Sequence, residues 1–208
     1  MIVVVEQHNA HKYSNLIEKM FRLRARIFHQ QLGWDVQVDD GKERDRLDEE
    51  GPVYIIYADS KGCEVKGSLR LLPTTGPTLL ADFFSDTCPD AVHLSSPTIW
   101  ELTRFCLDER MLAGDQEGIL SASATLIAAL GDVAIKAGIE SIIGNCDASM
   151  LRLFRRLGCV VEVLGSTSRY GRPVYLGLHP VSEQSVRRVE KRIQKARLAL
   201  AKTRDIAA

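Results

Sequence analysis

The chain has 208 residues, of which 45% are hydrophobic and 26% charged, with 27 basic and 27 acidic side chains. We expect one globular domain over residues 1–208, and the zero net charge argues against a nucleic-acid or membrane partner. The five cysteines are scattered without Cys-x-x-Cys spacing, which favours a reducing cytoplasm and argues against a disulfide framework or a metal site.

The N-terminal part of the chain predicts a strand, a helix and a long charged loop. Residues 2–6 form an apolar run too short for a leader or a membrane span, and no later segment predicts a span. Apolar residues at helical spacing predict a helix over 14–31, begun by a capping pair of Asn15 and Glu18. Residues 35–52 are dense in charge. They are either solvated surface or part of a site, because long loops are often functional.

The middle of the chain predicts strands over 53–58, 65–72 and 99–107. The last of these carries Glu101 and Arg104 in an apolar run. Buried charges are costly unless they are paired, so these two form either a structural ion pair or part of a site. Residues three apart on a regular strand point to opposite faces, so the two share a site only if a β-bulge lies between them.

The C-terminal half predicts helices and strands in alternation. In chain order they are helix 117–137, strand 139–146, a helix capped by Asp147 and ended by Gly158, strands 159–164 and 173–178, and helix 183–203. The complete order β-α-β-β-β-α-β-α-β-β-α predicts an α/β (α+β) fold with one mixed, twisted sheet flanked by helices.

Several motifs occur in order between residues 24 and 105. They are Arg24-x-x-x-Phe28-x-x-x-x-Gly33-Trp34, Gly41-x-Glu43-x-Asp45-x-x-Asp48, Gly67-x-x-Arg70-Leu-Leu-Pro73-Thr-Thr-Gly-Pro77, Phe84 and Trp100-Glu101-Leu-x-Arg104-Phe105. Together they resemble the acyl-homoserine-lactone synthases, the LuxI-type autoinducer synthases of quorum sensing. The resemblance implies a GNAT-type acyltransferase fold. It also implies an enzyme that consumes S-adenosylmethionine and an acyl thioester, on acyl carrier protein or coenzyme A, without a resident cofactor. The products would be an N-acyl-homoserine lactone and 5′-methylthioadenosine.

The acylation step requires a neutral amine, and Glu101 is the candidate base because a carboxylate in an apolar strand gains basicity. Arg104 is the second catalytic candidate. Charge pairing and aromatic stacking suit the following candidates for binding S-adenosylmethionine: Arg24, Phe28, Trp34, Asp45, Asp48, Arg70 and Phe84. We expect the ionisable members to form one alternating network with Glu101. Phe28 and Trp34 are alternatively ordinary core aromatics.

An acyl chain requires a dry tunnel. The candidates, each of which is equally a core residue, are Leu102, Phe105, Ile142, Met150, Leu153 and Leu176. The threonine that the family links to 3-oxo chains has no match in the strand before residue 147, so the resemblance does not imply a 3-oxo preference. An acidic carrier protein requires a basic patch, and the candidates, alternatively solvated helix faces, are Lys136, Arg152, Arg155 and Arg156.

Two other functions compete with this interpretation. An ordinary acyl-coenzyme A N-acyltransferase usually carries an Arg/Gln-x-x-Gly-x-Gly/Ala pyrophosphate loop, and residues 110–118 do not match it. A non-catalytic regulator that binds S-adenosylmethionine is disfavoured because the ionisable residues of the motifs are all present. We therefore expect a cytoplasmic synthase.

Overall fold

The computed structural model describes residues 1–112, 116–192 and 194. Its strands are β1 (Ile2–Val5), β2 (Val38–Asp39), β3 (Lys42–Glu43), β4 (Val53–Ala58), β5 (Val65–Pro73), β6 (Ile99–Leu107), β7 (Ser141–Asp147), β8 (Glu162–Thr167) and β9 (Val174–Pro180). Seven of them form one mixed sheet in the order β1-β4-β5-β6-β7-β9-β8, while β2 and β3 pair separately. Only the β6–β7 pair is parallel. The predicted mixed sheet is confirmed.

Helices cover both faces of this sheet. They are α1 (Ser14–Arg24), α2 (Leu79–Phe83), α3 (Gln116–Lys136), α4 (Ala148–Arg156) and α5 (183–192). One core lies under α1, where Met20 and Phe21 pack on Ile56 of β4. Another lies on the opposite face, where Leu126 of α3 packs with Leu71 and Leu102. Alternate residues of each strand therefore enter different cores.

The first helix spans the predicted residues 14–31 but differs from the prediction in its cap and in the type of its last turns. It follows a short turn at Ala10–Tyr13 and has no side-chain cap, so the predicted pair of Asn15 and Glu18 is wrong. Its continuation, Ala25–Gln31, is π-helical. The wider turn changes which side chains face the sheet, and π-helical turns frequently occur at functional sites.

Two other predicted boundaries are confirmed, whereas the strand predicted over 159–164 is observed at Glu162–Thr167. Strand β6 spans the predicted residues, and the Asp147 carboxylate accepts hydrogen bonds from the N–H groups of Ser149 and Met150 at the start of α4. The predicted charged loop instead contains β2, β3 and a helical turn at Arg46–Glu49. Of the predicted C-terminal helix, residues 183–192 are helical. Residues 193 and 195–208, like 113–115 of the unmatched pyrophosphate loop, lie outside the described residues.

Helix α3 is longer and more apolar than the sequence analysis expected of any segment. Among the described residues, the segment Gly118–Lys136 is long and apolar enough to cross a membrane, judged by length and composition alone. The expectation that no segment reaches this threshold is therefore wrong. A helix that packs on a sheet in a protein core meets the same criterion, and Leu126 and Ala134 are fully buried in this way. The segment is weak evidence for a membrane span.

The sheet opens between its two central strands. The parallel register joins Ile99–Glu101 to residues 141–143 and ends with the pair Glu101 and Ile143. Both strands continue for several residues beyond that pair. The result is a cleft between β6 and β7, with Glu101 at its closed end.

Candidate active site

Three arginines and three carboxylates form a closed ring of ion pairs on the α1 face of the sheet. Arg24 lies on α1, Arg70 on β5 and Arg104 on β6. Around the ring the order is Arg24, Glu43, Arg104, Asp45, Arg70, Asp48 and Arg24 again. The nitrogen–oxygen distances between neighbours run from 2.5 to 3.1 Å. Because the charges alternate, each buried ion lies between two ions of opposite sign.

Exposure varies strongly around this ring. The side chains of Arg24, Glu43, Asp48 and Arg70 are at most 1% exposed, whereas Arg104 is 8% and Asp45 20% exposed. Only the last two are therefore positioned to contact a ligand directly. The other four hold them in place.

The arginines of the ring favour the ionised forms of its two aspartates. Burial opposes the ionisation of Asp48, but the hydrogen bonds and charge of Arg24 outweigh burial and hold the pKa of Asp48 well below its ordinary value. Burial also opposes the ionisation of Asp45, and there the hydrogen bonds from Arg70 keep the pKa below its ordinary value. Asp45 and Asp48 therefore remain anionic at neutral pH.

Arg70 and Arg104 differ in which of their guanidinium nitrogens are free to bind a ligand. Arg70 donates from Nε to Thr103 Oγ1 at 2.9 Å and from both terminal nitrogens to Asp45. This buried side chain has no nitrogen turned towards a ligand, contrary to its predicted grip on a substrate carboxylate. Arg104 donates from Nε and Nη2 to Glu43 and from Nη2 to Asp45. Its Nη1 has no partner among the described residues.

A β-bulge brings Arg104 to this face. In the β5–β6 pair, Arg70 opposes Thr103 and Ser68 opposes Cys106, so two residues of β6 stand opposite one of β5. Arg104 has a φ of 53°, a left-handed conformation that is strained for a residue with a side chain. The bulge required by the sequence analysis is thus observed, and it puts Arg104 on the same face as Glu101.

Glu101 lies outside the ring, so the predicted network that includes it is wrong, as is a direct ion pair with Arg104. Its Oε1 accepts the Leu80 N–H and its Oε2 the Leu79 N–H, both at 2.7 Å, at the start of α2. Burial raises the pKa of Glu101 to about 7, and the two N–H donors only partly offset that rise. A carboxyl group with this pKa can take up and release a proton near neutrality.

Two of the three predicted aromatic residues stack on each other beside the ring of ion pairs. The rings of Phe28 and Trp34 lie 5.0 Å apart with a 22° angle between their planes. The Arg104 guanidinium also contacts Phe28 and lies 5.5 Å from the centre of its aromatic ring. Phe28 is buried, whereas Trp34 is 40% exposed. Phe84 lies elsewhere, edge-on to Tyr170 at 5.2 Å.

The predicted acyl-binding residues fall into two groups. Those that lie in or against the core under α3 are Leu102, Phe105, Ile142, Met150 and Leu153. Leu176 is fully buried in a different core, with Leu80 and Ile143 on the α2 face. Because β-strand residues alternate between faces, Leu176 does not share the environment of the other five.

A largely apolar cavity lies on the α3 face, between the sheet and helices α3, α4 and α5. It is open to solvent on one side, and its walls include Leu102 and Ile142. These residues are the chain neighbours of Glu101 and Ile143, the last pair before the cleft opens. The cavity therefore begins close to the candidate base, on the opposite side of β6.

The predicted basic residues do not form one patch. Arg152, Arg155 and Arg156 are exposed on α4. Lys136 lies in a separate groove that also involves Ile2 of β1. The α4 arginines alone remain as a candidate docking surface for an acidic partner.

The sequence analysis missed Glu43 as a site residue. It quoted Glu43 within a motif but assigned its place in the network to Glu101. Glu43 and Asp45 are two apart in an extended segment, a spacing that puts both side chains on one face and indicates that they act together. The tyrosine hydroxyl of Tyr54, 2.8 Å from Asp48 Oδ1, is a further ring contact that no motif indicated.

Comparisons with known proteins agree with this geometry. The sequence profile of the autoinducer synthase family matches residues 7–189. An acyl-homoserine-lactone synthase of Rhizobium etli is 40% identical over 171 residues, which cover 82% of this chain and 79% of that protein. The structure of the coenzyme A-dependent acyl-homoserine lactone synthase BjaI, with S-adenosylmethionine and isopentyl-coenzyme A, matches with a TM-score of 0.80 at 26% identity, over 93% and 89% of the two chains. FeeM, an N-acyl amino acid synthase from uncultured soil microbes, shares the fold alone, with a TM-score of 0.59 at 15% identity over 87% and 96% of the chains.

Proposed function

This chain belongs to the acyl-homoserine-lactone synthases, and from that membership we propose how its residues carry out the reaction. The enzyme transfers an acyl group from a thioester to the amine of S-adenosylmethionine and closes the lactone, which releases 5′-methylthioadenosine. The observation that carries the site assignment is the ring's one accessible edge, at Asp45 and Arg104, on the same face of β6 as buried Glu101.

Glu101 acts as the general base in acyl transfer. Its carboxylate takes a proton from the substrate ammonium, directly or through a water, and the free amine attacks the thioester carbonyl carbon. The carbon–sulfur bond of the thioester breaks, the carrier leaves as a thiol, and the nitrogen loses a second proton as the amide forms. The pKa of about 7 supports this role because it allows the same group to accept and return the proton near neutral pH.

Arg104 binds the substrate carboxylate through Nη1, the guanidinium nitrogen that has no partner among the described residues. The anionic Asp45 beside it favours the cationic part of the substrate. Trp34, half exposed above Phe28, offers its outer ring face to the adenine or the sulfonium. Arg24, Arg70, Asp48 and Glu43 are positioning residues, because their burial keeps them from the substrate.

Lactone closure requires orientation more than catalytic groups. The substrate carboxylate oxygen attacks the carbon next to the sulfonium, the bond from that carbon to sulfur breaks, and the electron pair stays on sulfur as a neutral thioether. Holding the carboxylate in place brings the reacting atoms together, which is the contribution we assign to Arg104.

The acyl chain extends from the β6–β7 cleft into the cavity on the α3 face. Leu102 and Ile142 line its beginning, and Phe105, Met150 and Leu153 pack in the surrounding core. The acyl carrier is either coenzyme A or an acidic carrier protein. The exposed arginines of α4 support the second because they offer a positive surface. Leu176 and Lys136, which lie apart, are not included.

We propose that residues 1–208 form a single synthase domain that contains this site, and that the enzyme is cytoplasmic. The packing of α3 on the sheet supports this assignment, because its apolar residues have a core to enter. Cell fractionation tests the location: the enzyme is expected with the soluble fraction, and recovery in washed membranes would contradict it.

One assay tests the whole proposal. The purified full chain is supplied with S-adenosylmethionine and acyl thioesters of coenzyme A or acyl carrier protein, and products are measured by mass spectrometry. We expect N-acyl-homoserine lactone and 5′-methylthioadenosine in equal amounts. Absence of the lactone with every donor on both carriers would refute the function. A preference for one carrier identifies the physiological acyl donor.

A further inference from the structure

An ion pair outside the ring joins two parts of the active site that are far apart in the sequence. Arg46 follows Asp45 directly in the charged loop, and its Nη2 donates to Oδ2 of Asp82 in α2. The Arg46 side chain is 57% exposed and that of Asp82 is 20% exposed. A pair this exposed contributes little to folding stability. Its importance therefore depends on the two segments that it connects.

The ring of ion pairs fixes the loop end of this contact. The turn over Arg46–Glu49 begins with a reciprocal cap. The Asp45 carboxylate accepts the Leu47 N–H at 3.0 Å, and the Asp48 carboxylate accepts the Asp45 N–H at 2.9 Å. Both carboxylates are members of the ring, and Leu47 between them is buried. The backbone that carries Arg46 is thus held by the groups that form the proposed substrate site.

The helix end of the contact lies next to the candidate base. Asp82 is in α2, whose Leu79 and Leu80 N–H groups donate to the Glu101 carboxylate. The Asp82 N–H donates to the Thr78 carbonyl at 3.1 Å, in the same turn. With five residues, α2 has little more than one turn. A displacement of Asp82 therefore also moves the two N–H groups that hold the base.

The same contact alters the charge around Glu101. Burial is the main cause of the raised pKa of Glu101, and the Arg70 cation of β5 lowers this pKa whereas the Asp82 anion of α2 raises it. The residues paired directly with Glu101 on β5 and β7 are apolar. Arg46 compensates the charge of Asp82 and so weakens the effect of Asp82 on the base. Removing either member of the pair changes this balance in the opposite sense.

We propose that Arg46 and Asp82 are positioning residues for acyl transfer, and that their ion pair couples the substrate-binding loop to the helix that holds Glu101. This inference rests on the proposed synthase function and adds two residues that do not touch the reacting atoms. Because Asp45 and Arg46 are adjacent, a substrate held at Asp45 also fixes the loop end of the pair. The helix is then held over the base while the substrate is bound.

The test uses two single variants that remove opposite charges, with kcat/KM measured against pH. In wild type the rate should rise through about pH 7. Arg46→Gln leaves Asp82 uncompensated, so the rise should move up by about half a pH unit. Asp82→Asn removes the anion, so the rise should move down by about half a pH unit. A purely structural pair loses the same contact in both variants, which gives no reason for opposite shifts.

A second measurement does not depend on turnover. NMR titration of carbon-labelled glutamate side chains follows the Glu101 carboxyl group directly and should show the same two shifts. The matched control is the exposed pair of Glu183 and Arg187 on α5, which are 3.0 Å apart. Glu183→Gln and Arg187→Gln should leave both the rate profile and the titration as in wild type. Melting temperatures establish that each variant is folded, and Asp82→Ser replaces the Asn variant if that one does not fold.

Reversing the pair separates the contact from the charge. The double variant Arg46→Asp with Asp82→Arg restores an ion pair between the loop and α2. Each single variant should raise the KM for S-adenosylmethionine by up to about 5-fold, because the loop loses its attachment to α2. The double variant should recover the wild-type KM. Its pH profile should still be shifted down, because a cation now lies on α2 near Glu101.

The outcomes separate this inference from the function on which it rests. If wild type yields no lactone with any donor, the synthase proposal itself fails, and the NMR titration still measures the effect of the pair on Glu101. If lactone forms but the two single variants shift the profile in the same direction or not at all, the pair is an ordinary surface contact and the inference is overturned. A reversed pair that does not recover the KM would also overturn the coupling.

Discussion

The two faces of β6 have opposite character: one carries a tightly connected set of charges, and the other borders an apolar cavity. On the α1 face, Arg104 joins five other ionised side chains in a ring whose members each contact two opposite charges. On the α3 face, Leu102 borders a largely apolar cavity with unfilled space. The first region is fixed by many simultaneous contacts, whereas the second leaves room for its occupant.

This difference agrees with the chemistry of the two substrates. S-adenosylmethionine is a single substrate with the same charged groups in every reaction, so a ring with fixed charges suits it. Acyl groups vary in length and oxidation, and apolar contacts discriminate weakly between them. A few polar groups in an apolar wall give better discrimination. We therefore expect damage to the ring to affect folding and turnover, and changes in the cavity to affect acyl preference.

The largest effect should follow from opening the ring at Arg24. Arg24→Met leaves Glu43 and Asp48 buried with reduced charge compensation, which we expect to lower the free energy of unfolding by about 3–5 kcal/mol. Urea denaturation measures the change. Arg22→Met, two residues earlier in α1, is the control, because Arg22 is 47% exposed and its ion pairs are worth less than about 1 kcal/mol. Equal losses in the two variants would show that the ring does not determine stability.

The second effect concerns turnover. Glu101→Gln should lower kcat by at least about 100-fold, because it removes a general base. Glu140→Gln, an exposed position whose carboxylate accepts from Thr98, should leave kcat unchanged. With the pKa of Glu101 near 7, wild-type kcat/KM should rise with pH through about 7 and then level off. Unchanged turnover in the Gln variant would remove Glu101 as the base.

The same carboxyl group should make stability depend on pH. The pKa of Glu101 is about 7 in the folded chain, above its ordinary value of 4.5, so the folded state binds the proton more tightly. The stabilisation that results is complete below pH 4.5 and is lost as the pH rises through 7. Glu101→Gln has no such loss. Relative to wild type it should gain about 1–3 kcal/mol between acidic and mildly alkaline pH in denaturation curves. A constant difference across this range would contradict the assignment.

A smaller effect is expected from narrowing the cavity. A Cβ on Gly131 of α3 would approach Val186 Cγ2 of α5 to 2.5 Å. Gly131→Ala should therefore cost about 1–3 kcal/mol of stability and shift acyl preference towards shorter chains. Adding Val186→Ala to the Gly131→Ala variant removes the clash. The double variant should recover more stability and more of the wild-type acyl preference than the sum of the two single changes predicts. Melting curves and the acyl-donor panel provide the measurements. Simple additivity would show that α3 and α5 are not in contact at this point.

Much of the ring was accessible from sequence because its parts are separate motifs with regular spacing. Arg24, Asp45, Asp48, Arg70 and Arg104 were all proposed as one network, and the structure brings all five together. Strand periodicity left two alternatives for Arg104, a bulge or a place on the opposite face, and the structure shows the bulge. The spacing of Glu43 and Asp45 groups these two carboxylates, but it does not show that Glu43 rather than Glu101 pairs with the arginines, because only the path of the chain decides that.

The sequence by itself determined the presence of the seven strands of the main sheet, most helix boundaries, the family and the identity of the charged residues, since these depend on local periodicity and on residue type. The tertiary structure alone decided which carboxylate closes the ring, that Arg70 is fully occupied, that Leu176 lies in a different core, and that Leu102 and Ile142 border a cavity. These properties depend on strand register and on which face of the sheet each helix covers. A one-residue change of register would move every side chain of a strand to the other face.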